Sequence, residues 1–195
     1  MLLWREKIQN VPIMSLQTGG QLGAATEPII DPHMLKVVAF YCEGRLIEEH
    51  PSVLYVDDIR EFGQLGFIIN DSDDIMPLHD LVRLQQILNL HFELLGKKVI
   101  DNTKHKLGKV NNFIIDSDSF NIMKLSVQQP IFKAINNTEL IISRSQIIEI
   151  NDEAIVVEAP TVKEATAKQP LQAVEFQNPF RNTPQTPQPE HADRR

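Results

Sequence analysis

Residues 22–42, LGAATEPIIDPHMLKVVAFYC, and residues 107–127, LGKVNNFIIDSDSFNIMKLSV, decide how this chain is read. Set against each other at a shift of 85, they share Leu22/Leu107, Gly23/Gly108 and Ile29-Ile30-Asp31/Ile114-Ile115-Asp116, 5 identities in 21 positions. The apolar class also matches at Leu35/Phe120, Val37/Ile122, Val38/Met123, Phe40/Leu125 and Cys42/Val127. Further along the shift becomes 88, pairing Leu54 with Ile142, Ile59 with Ile147, Phe62 with Ile150 and Phe67-Ile68-Ile69 with Ile155-Val156-Val157. The extra residues fall in the turn-rich loop around Ala134-Ile135-Asn136-Asn137. Duplication of one unit is the economical reading.

Each unit reads as strands. Met123, Leu125 and Val127 alternate with Lys124 and Ser126, the period-2 pattern of a half-buried strand, and Val38, Phe40 and Cys42 repeat it. Phe67-Ile68-Ile69 and Ile155-Val156-Val157 are short β-branched runs suited to a strand covered on both faces. Gly19-Gly20 suits a hairpin turn with positive φ values; Asn102-Thr103-Lys104-His105 is its looser counterpart, with Asn tolerating the left-handed region. The expected unit is a small antiparallel sheet of about five or six strands. So small a sheet leaves two edges unpaired, and closure into a barrel removes them.

Between the units lies the best helical pattern in the chain. Leu81, Leu84, Leu88 and Leu95, with Ile87, Leu90 and Leu94 beside them, form a wide apolar face. Pro77 stands upstream, Asp80 suits a first turn, and Gly96 marks the exit. A helix so apolar packs on one or both barrels. The expected organisation is a first barrel over residues 5–76, a linker helix over 77–95, a second barrel over 96–160, and a tail over 161–195.

The tail carries Pro170, Pro179, Pro184, Pro187 and Pro189, several glutamines and few large apolar residues, a composition expected to be disordered. Thr161 and Glu164 could begin a short helix, which Pro170 would end. The tail's formal charge is 5 − 4 = +1, so with −7 for the whole chain the remainder carries −8. A balance that acidic argues against sequence-independent nucleic-acid binding, which rests on cationic side chains replacing phosphate counterions. A single cysteine, Cys42, excludes an internal disulfide and fits a reducing compartment. No apolar run nears the roughly 18 residues of a spanning helix. The N-terminal Met1-Leu2-Leu3-Trp4-Arg5 is too short for a signal peptide, so a cytoplasmic protein is expected.

Gly96-Lys97-Lys98-Val99-Ile100-Asp101, Lys106-Leu107-Gly108-Lys109-Val110, Phe113-Ile114-Ile115-Asp116 and the run Ile122–Val127 together resemble the PRC-barrel family. Its barrel is shared by the cytoplasmic domain of the photosynthetic reaction-centre H subunit and the C-terminal domain of the ribosome maturation factor. Repeat one matches through Val11-Pro12-Ile13, Gly19-Gly20-Gln21-Leu22-Gly23 and Ile29-Ile30-Asp31. Repeat two lacks the turn glycine, and Ala24-Ala25 stands in repeat one where repeat two has Lys109-Val110. The resemblance implies assembly and adaptor roles: contact with a ribosomal protein, support of a membrane complex, or a part in cell division. It carries over no catalytic residue.

The chemistry-bearing residues have structural readings. None of the six histidines (33, 50, 79, 91, 105 and 191) stands in a zinc-ligand spacing; His91 reads as a partly buried or boundary residue of the linker helix, His79 as a helix-start residue and His105 as a turn residue. Asp71-Ser72-Asp73-Asp74 lacks the glycine and closing glutamate of a calcium loop and reads as an acidic turn. Asp116-Ser117-Asp118-Ser119 reads as a hairpin turn, and Asp57-Asp58 as the start of another. Gly20-x-x-Gly23 has no flanking cations for a nucleic-acid clamp, and hairpin chemistry accounts for it. Cys42, matched by Val127, is a core hydrophobe.

The sharper feature is Val174-Glu175-Phe176-Gln177-Asn178-Pro179-Phe180-Arg181. Phe176, Asn178, Pro179, Phe180 and Arg181 are the candidate partner-binding residues, apolar anchors in a polar stretch. The fold class expected is mainly β: two small antiparallel PRC-type barrels joined by an amphipathic helix, with a disordered C-terminal tail. The function expected is a non-catalytic protein-binding or scaffold module with no cofactor and no metal. The alternative is a ribosome- or RNA-processing-associated assembly factor. An enzyme would need a pocket built from residues the repeats do not share, such as Tyr41, Arg45 and His50. Direct nucleic-acid binding is not expected, and a homo-oligomer is compatible with the sequence.

Overall fold

A computed structural model describes residues 1–129 and 139–158; the tail residues Phe176 to Arg181 and the loop that absorbs the change of shift lie outside them. The described chain is mainly β, with one α-helix. The first strand, β1 (Leu2–Trp4), is followed by a 3-10 turn at Arg5–Ile8. Next come β2 (Val11–Ser15), β3 (Gln21–Asp31), β4 (Lys36–Glu43), β5 (Ser52–Tyr55), β6 (Glu61–Gly63), β7 (Gly66–Ile69) and β8 (Ile75–Pro77). Helix α1 (Val82–Leu88) precedes β9 (Lys98–Asp101), β10 (Lys106–Asp116), β11 (Ile122–Gln128), β12 (Glu139–Ser143), β13 (Ile147–Ile150) and β14 (Ala154–Val157).

These strands make two sheets of seven, one more per unit than the top of the expected range. The first runs β6-β7-β2-β3-β4-β5-β8 and the second β12-β11-β10-β9-β14-β13, with β1 added to β10. The surplus strands are thus β8 on the first sheet and β1 on the second, and neither carries the repeat's signature. Nor is either sheet purely antiparallel, because β2 pairs in parallel with β7 and β9 with β14. The reason is a parity: β5 passes into β6 through a 3-10 turn, Val56–Asp58, that does not reverse the chain. Hence β7, antiparallel to β6, ends up running with β2.

The two sheets correspond closely along β3 and β10. Strands β3 and β10 are both 11 residues long and start 85 apart. Phe40 faces Leu54 across β4 and β5, and Leu125 faces Ile142 across β11 and β12, reproducing both shifts. Ladder irregularities recur between Ile29 and Ile30 and between Ile114 and Ile115. Gly23 and Gly108 are equivalent as well, but not as turn residues. A Cβ on Gly23 would lie 2.5 Å from the Glu43 carbonyl oxygen, and one on Gly108 would lie 2.2 Å from that of Gln128. Gly23→Ala is therefore expected to cost at least about 1 kcal/mol through a forced strand shift, read as a lower denaturant midpoint at unchanged m-value.

The hairpins before β3 and β10 differ from expectation in detail. The left-handed residues are Gly19 (φ 65°) and its equivalent Lys104 (φ 67°), not Asn102. A buried polar residue organises each turn. Ser15 Oγ accepts from Thr18 N at 3.2 Å. Asp101 Oδ1 accepts from Thr103 N at 2.9 Å, Thr103 Oγ1 at 2.7 Å and His105 N at 2.8 Å. These bonds, the Thr103 hydroxyl's first, hold the Asp101 carboxyl down at about 2, against an ordinary value of 3.8. Because the folded pKa is depressed, the stabilisation is present above pH ~4 and is lost as pH falls toward ~2. Amide exchange of Thr103 and His105, followed across that interval, should lose its protection ahead of the neighbouring strands.

The expected helix over 77–95 is present only as Val82–Leu88. Upstream, Ile75–Pro77 joins the first sheet and Leu78–Asp80, with His79, forms a 3-10 turn. Downstream, His91 takes φ 47° and stands exposed, which ends the helical path. The apolar stripe was continuous in sequence but serves two cores. Leu81, Leu84, Ile87 and Leu88 cover the outer face of the first sheet against Ile29, Ala39 and Val53. Leu94 instead enters the main core; with Ile13 facing Gly23 and Val99 facing Gly108, the offset here is 86, which makes Leu94 the equivalent of Ile8. That main core is continuous across both units.

The remaining turn assignments hold. Asp71 Oδ1 accepts from Asp73 N at 2.8 Å and Asp74 Oδ2 from Asn70 N at 2.9 Å. Asp31 and Asp116 each accept from backbone amides two or three residues on, closing equivalent hairpins. Among the described residues, no helix is long and apolar enough to cross a membrane.

Candidate functional site

The two hairpins closed by Asp31 and Asp116 meet. Leu35 and its equivalent Phe120 both sit in the left-handed region, at φ 44° and 55°, and both are buried. Val37 N donates to the Phe120 carbonyl at 3.0 Å, and Ile122 N donates to the Leu35 carbonyl at 3.0 Å. Since Val37 and Ile122 are equivalent, the bonds are reciprocal, and Lys36 bridges Asn121 between them. The Phe120 ring lies 6.0 Å from Phe40 and 6.1 Å from Phe67, edge-on to both, inside the core of the first unit. One unit thus lends its turn residue to the other's core.

One residue breaks the symmetry of this seam. Arg144, in the 3-10 turn after β12, donates from Nη1 to the Leu35 carbonyl at 2.7 Å and the Ile122 carbonyl at 3.2 Å. Its Nη2 donates to the Met34 carbonyl at 2.6 Å. The equivalent position in repeat one is Val56, which can donate nothing. Nothing in the sequence set Arg144 apart from other surface cations. The exchange of Leu35 and Phe120 did leave a trace: two large apolar residues at a turn position that an exposed hairpin fills with a polar one.

Two recesses lie apart from these seam residues, on either side of Glu27 and Tyr41. The larger, about 880 Å³, has Tyr41, His50, Glu27, Glu43 and Thr26 among its walls. It brings together Tyr41 and His50, two of the three residues an enzymatic pocket would have used, while Arg45 is not part of its lining. Burial, and then the Glu27 carboxylate, push the Tyr41 phenol above its ordinary value. Cys42 also borders the recess, but burial pushes its thiol up to about 12, so it is protonated at neutral pH. Among the described residues, no hydrogen bond joins the Tyr41 hydroxyl, His50 and the glutamates. No group of three or more His, Cys, Asp or Glu there is arranged to hold a metal ion.

The second recess, about 490 Å³, is a groove of a different character. Its walls are the flank of β3 at Pro28–Ile30, the end of α1 at Ile87 and Leu88, and Phe92, Leu94 and Leu95 beyond it. Arg5, Glu27 and His91 supply the polar groups at its margins. Glu27 and Tyr41 belong to both recesses. Of the other histidines, His105 Nδ1 lies 2.7 Å from Thr103 Oγ1, and exposed His79 lies 3.5 Å from Asp80.

Compared with known proteins, residues 90–163 match the model of the PRC-barrel domain family. No curated protein matches the sequence. Among solved structures the chain is similar to a 16S ribosomal RNA processing protein, RimM, from Pseudomonas aeruginosa. The two are 12% identical over 82% of this chain and 98% of that one, with a TM-score of 0.28.

Proposed function

We propose, from the match of residues 90–163 to the PRC-barrel domain family, that the chain is a tandem PRC-barrel protein acting as a non-catalytic, cytoplasmic scaffold that binds another protein. Residues 5–76 are then the first barrel. Two features support this. The repeat is exact in β3 and β10, and edge strands β12 and β13 are joined through only Arg144–Gln146, as a sheet curled toward closure requires.

The observation that carries the functional reading is the use made of the residues the repeats share. Asp31 and Asp116 close turns, Gly23 and Gly108 admit a neighbouring carbonyl, and Leu35 and Phe120 pin the units together. What duplication preserved is a rigid body, with recesses on its surface where the units diverge. Such a body suits holding a partner rather than transforming a substrate. The acidic charge of the body, −8 by formal count, opposes direct contact with RNA.

Capture from lysate on the tagged full chain, with and without nuclease and across a salt series, tests the reading. A protein partner that survives nuclease and moderate salt is the expected result. Ribosomal components that vanish with nuclease would replace the scaffold by the assembly-factor alternative.

A further inference from the structure

The repeat exposes a vacancy at one sheet edge. In the second unit, β1 runs antiparallel along the far side of β10, with Leu2 facing Asp116, Leu3 facing Ile115 and Trp4 facing Ile114. The equivalent stretch of the first unit is Ile29–Asp31 on β3. There β2 stops pairing at Ala25, and among the described residues no strand takes up that side beyond it. Ahead of the hairpins the offset is 86, since Ile13 faces Gly23 and Val99 faces Gly108, so the segment that would mirror β1 is residues 88–90. Their backbone is committed elsewhere: Asn89 N donates to the Gln85 carbonyl, Leu90 N to Ile87 and His91 N to Leu88, continuing the turns of α1. Asn89 and Leu90 accordingly face solvent.

The consequences are measurable at equivalent residues. Ile115, opposite Leu3, is completely buried, whereas Ile30 is only partly covered. The apolar groove of about 490 Å³ lies along this flank. Arg5 stands in its wall, and its Nε is buried without a hydrogen-bond partner among the described residues.

We propose that the flank of β3 from Glu27 to Asp31 is a docking edge for an extended apolar segment of a partner protein, which adds antiparallel as Leu2–Trp4 adds to β10. The chain itself supplies the template for the occupant's chemistry. It is a short extended run of large apolar residues whose central side chain enters the groove, as Leu3 packs on the core. Main-chain hydrogen bonds to the edge give affinity, and the groove selects the central side chain. The inference rests on the protein-binding reading above and specifies where on the body the partner sits.

The probe is an N-acetylated peptide with the sequence of residues 1–6, titrated into the isotopically labelled full chain and followed by amide shifts. Two N-methylated versions, one blocking each edge of the peptide strand, accompany it. The expected result is saturable shifts centred on Glu27, Ile29, Ile30 and Asp31. Methylation of one edge should weaken binding about tenfold or more, and methylation of the other should leave it unchanged. Equal binding by all three peptides, shifts centred elsewhere, or no saturable shift would overturn the proposal. If Phe176→Ala with Phe180→Ala moves these amides without peptide, the occupant is the chain's own tail. If dilution moves them, it is a second copy. Either result overturns the assignment to a partner. A nuclease-resistant partner captured from lysate alongside a failed peptide titration would leave the scaffold reading standing and remove only this edge.

Discussion

Phe120→Ala should destabilise the protein by about 3–5 kcal/mol, the range for truncating a buried aromatic side chain, lowering Tm by roughly 10 °C for a chain of this size. The notable part is where the loss falls. Phe120 belongs by sequence to the second repeat, yet its ring packs on Phe40 and Phe67 of the first. A cavity there should therefore loosen the first unit at least as much as the second. Amide exchange of Phe40, Leu54 and Phe67 in the variant reports this directly. If only the second unit's amides accelerate, the ring does not serve the first core. Leu35 offers the reciprocal test, with the smaller loss its smaller volume implies. Both residues hold positive φ, so an Ala at either position keeps the backbone cost and removes only the packing.

Replacing Arg144 with Leu should cost roughly 2–3 kcal/mol, the range for a charged donor lost from acceptors that are then left unsatisfied. Three carbonyls, those of Met34, Leu35 and Ile122, lose a donor together. Arg144→Lys should recover only part of the loss, because an ammonium group on a flexible stem lacks the planar fork that reaches carbonyls on both units. Urea unfolding of the three proteins separates these outcomes: midpoints in the order wild type, Lys, Leu support the assignment. Equal midpoints for Lys and wild type would mean that charge alone matters at this position.

The strands were legible in the sequence where the same pattern stands twice. Ile29-Ile30-Asp31 and Ile114-Ile115-Asp116 fall at the ends of β3 and β10, and the later shift of 88 pairs the runs that form β7 and β14. What failed was whatever the two copies do differently. Nothing in Leu2-Leu3-Trp4 says that it belongs beside β10, since a three-residue apolar run has no period to read. The helix is shorter than the apolar stripe because Leu94, the equivalent of Ile8, leaves the outer face of the first sheet for the core shared by both units. Burial pattern alone cannot separate a helix that continues from a chain that changes partners. Equivalence to the first repeat could have done so.

The candidate site divides in the same way. Tyr41 and His50 were singled out because the repeats diverge there, and they do border one recess. The residues proposed to meet a partner in the tail, Phe176 to Arg181, fall outside the described residues. The groove along β3 was not legible, because it results from a strand in one unit and its replacement by a helix end in the other. Such a difference shows only when the two copies are superposed in space.

The reciprocal seam makes the two units one cooperative body. Native-state hydrogen exchange at Val37 and Ile122, the amides that donate across it, tests that most directly. Both should exchange only through global opening, with the same free energy and the same denaturant dependence as Phe40 and Leu125 in the two sheets. Exchange of either amide through a local opening, or a clear difference between the two, would contradict the reciprocal seam and separate the chain into two independent units.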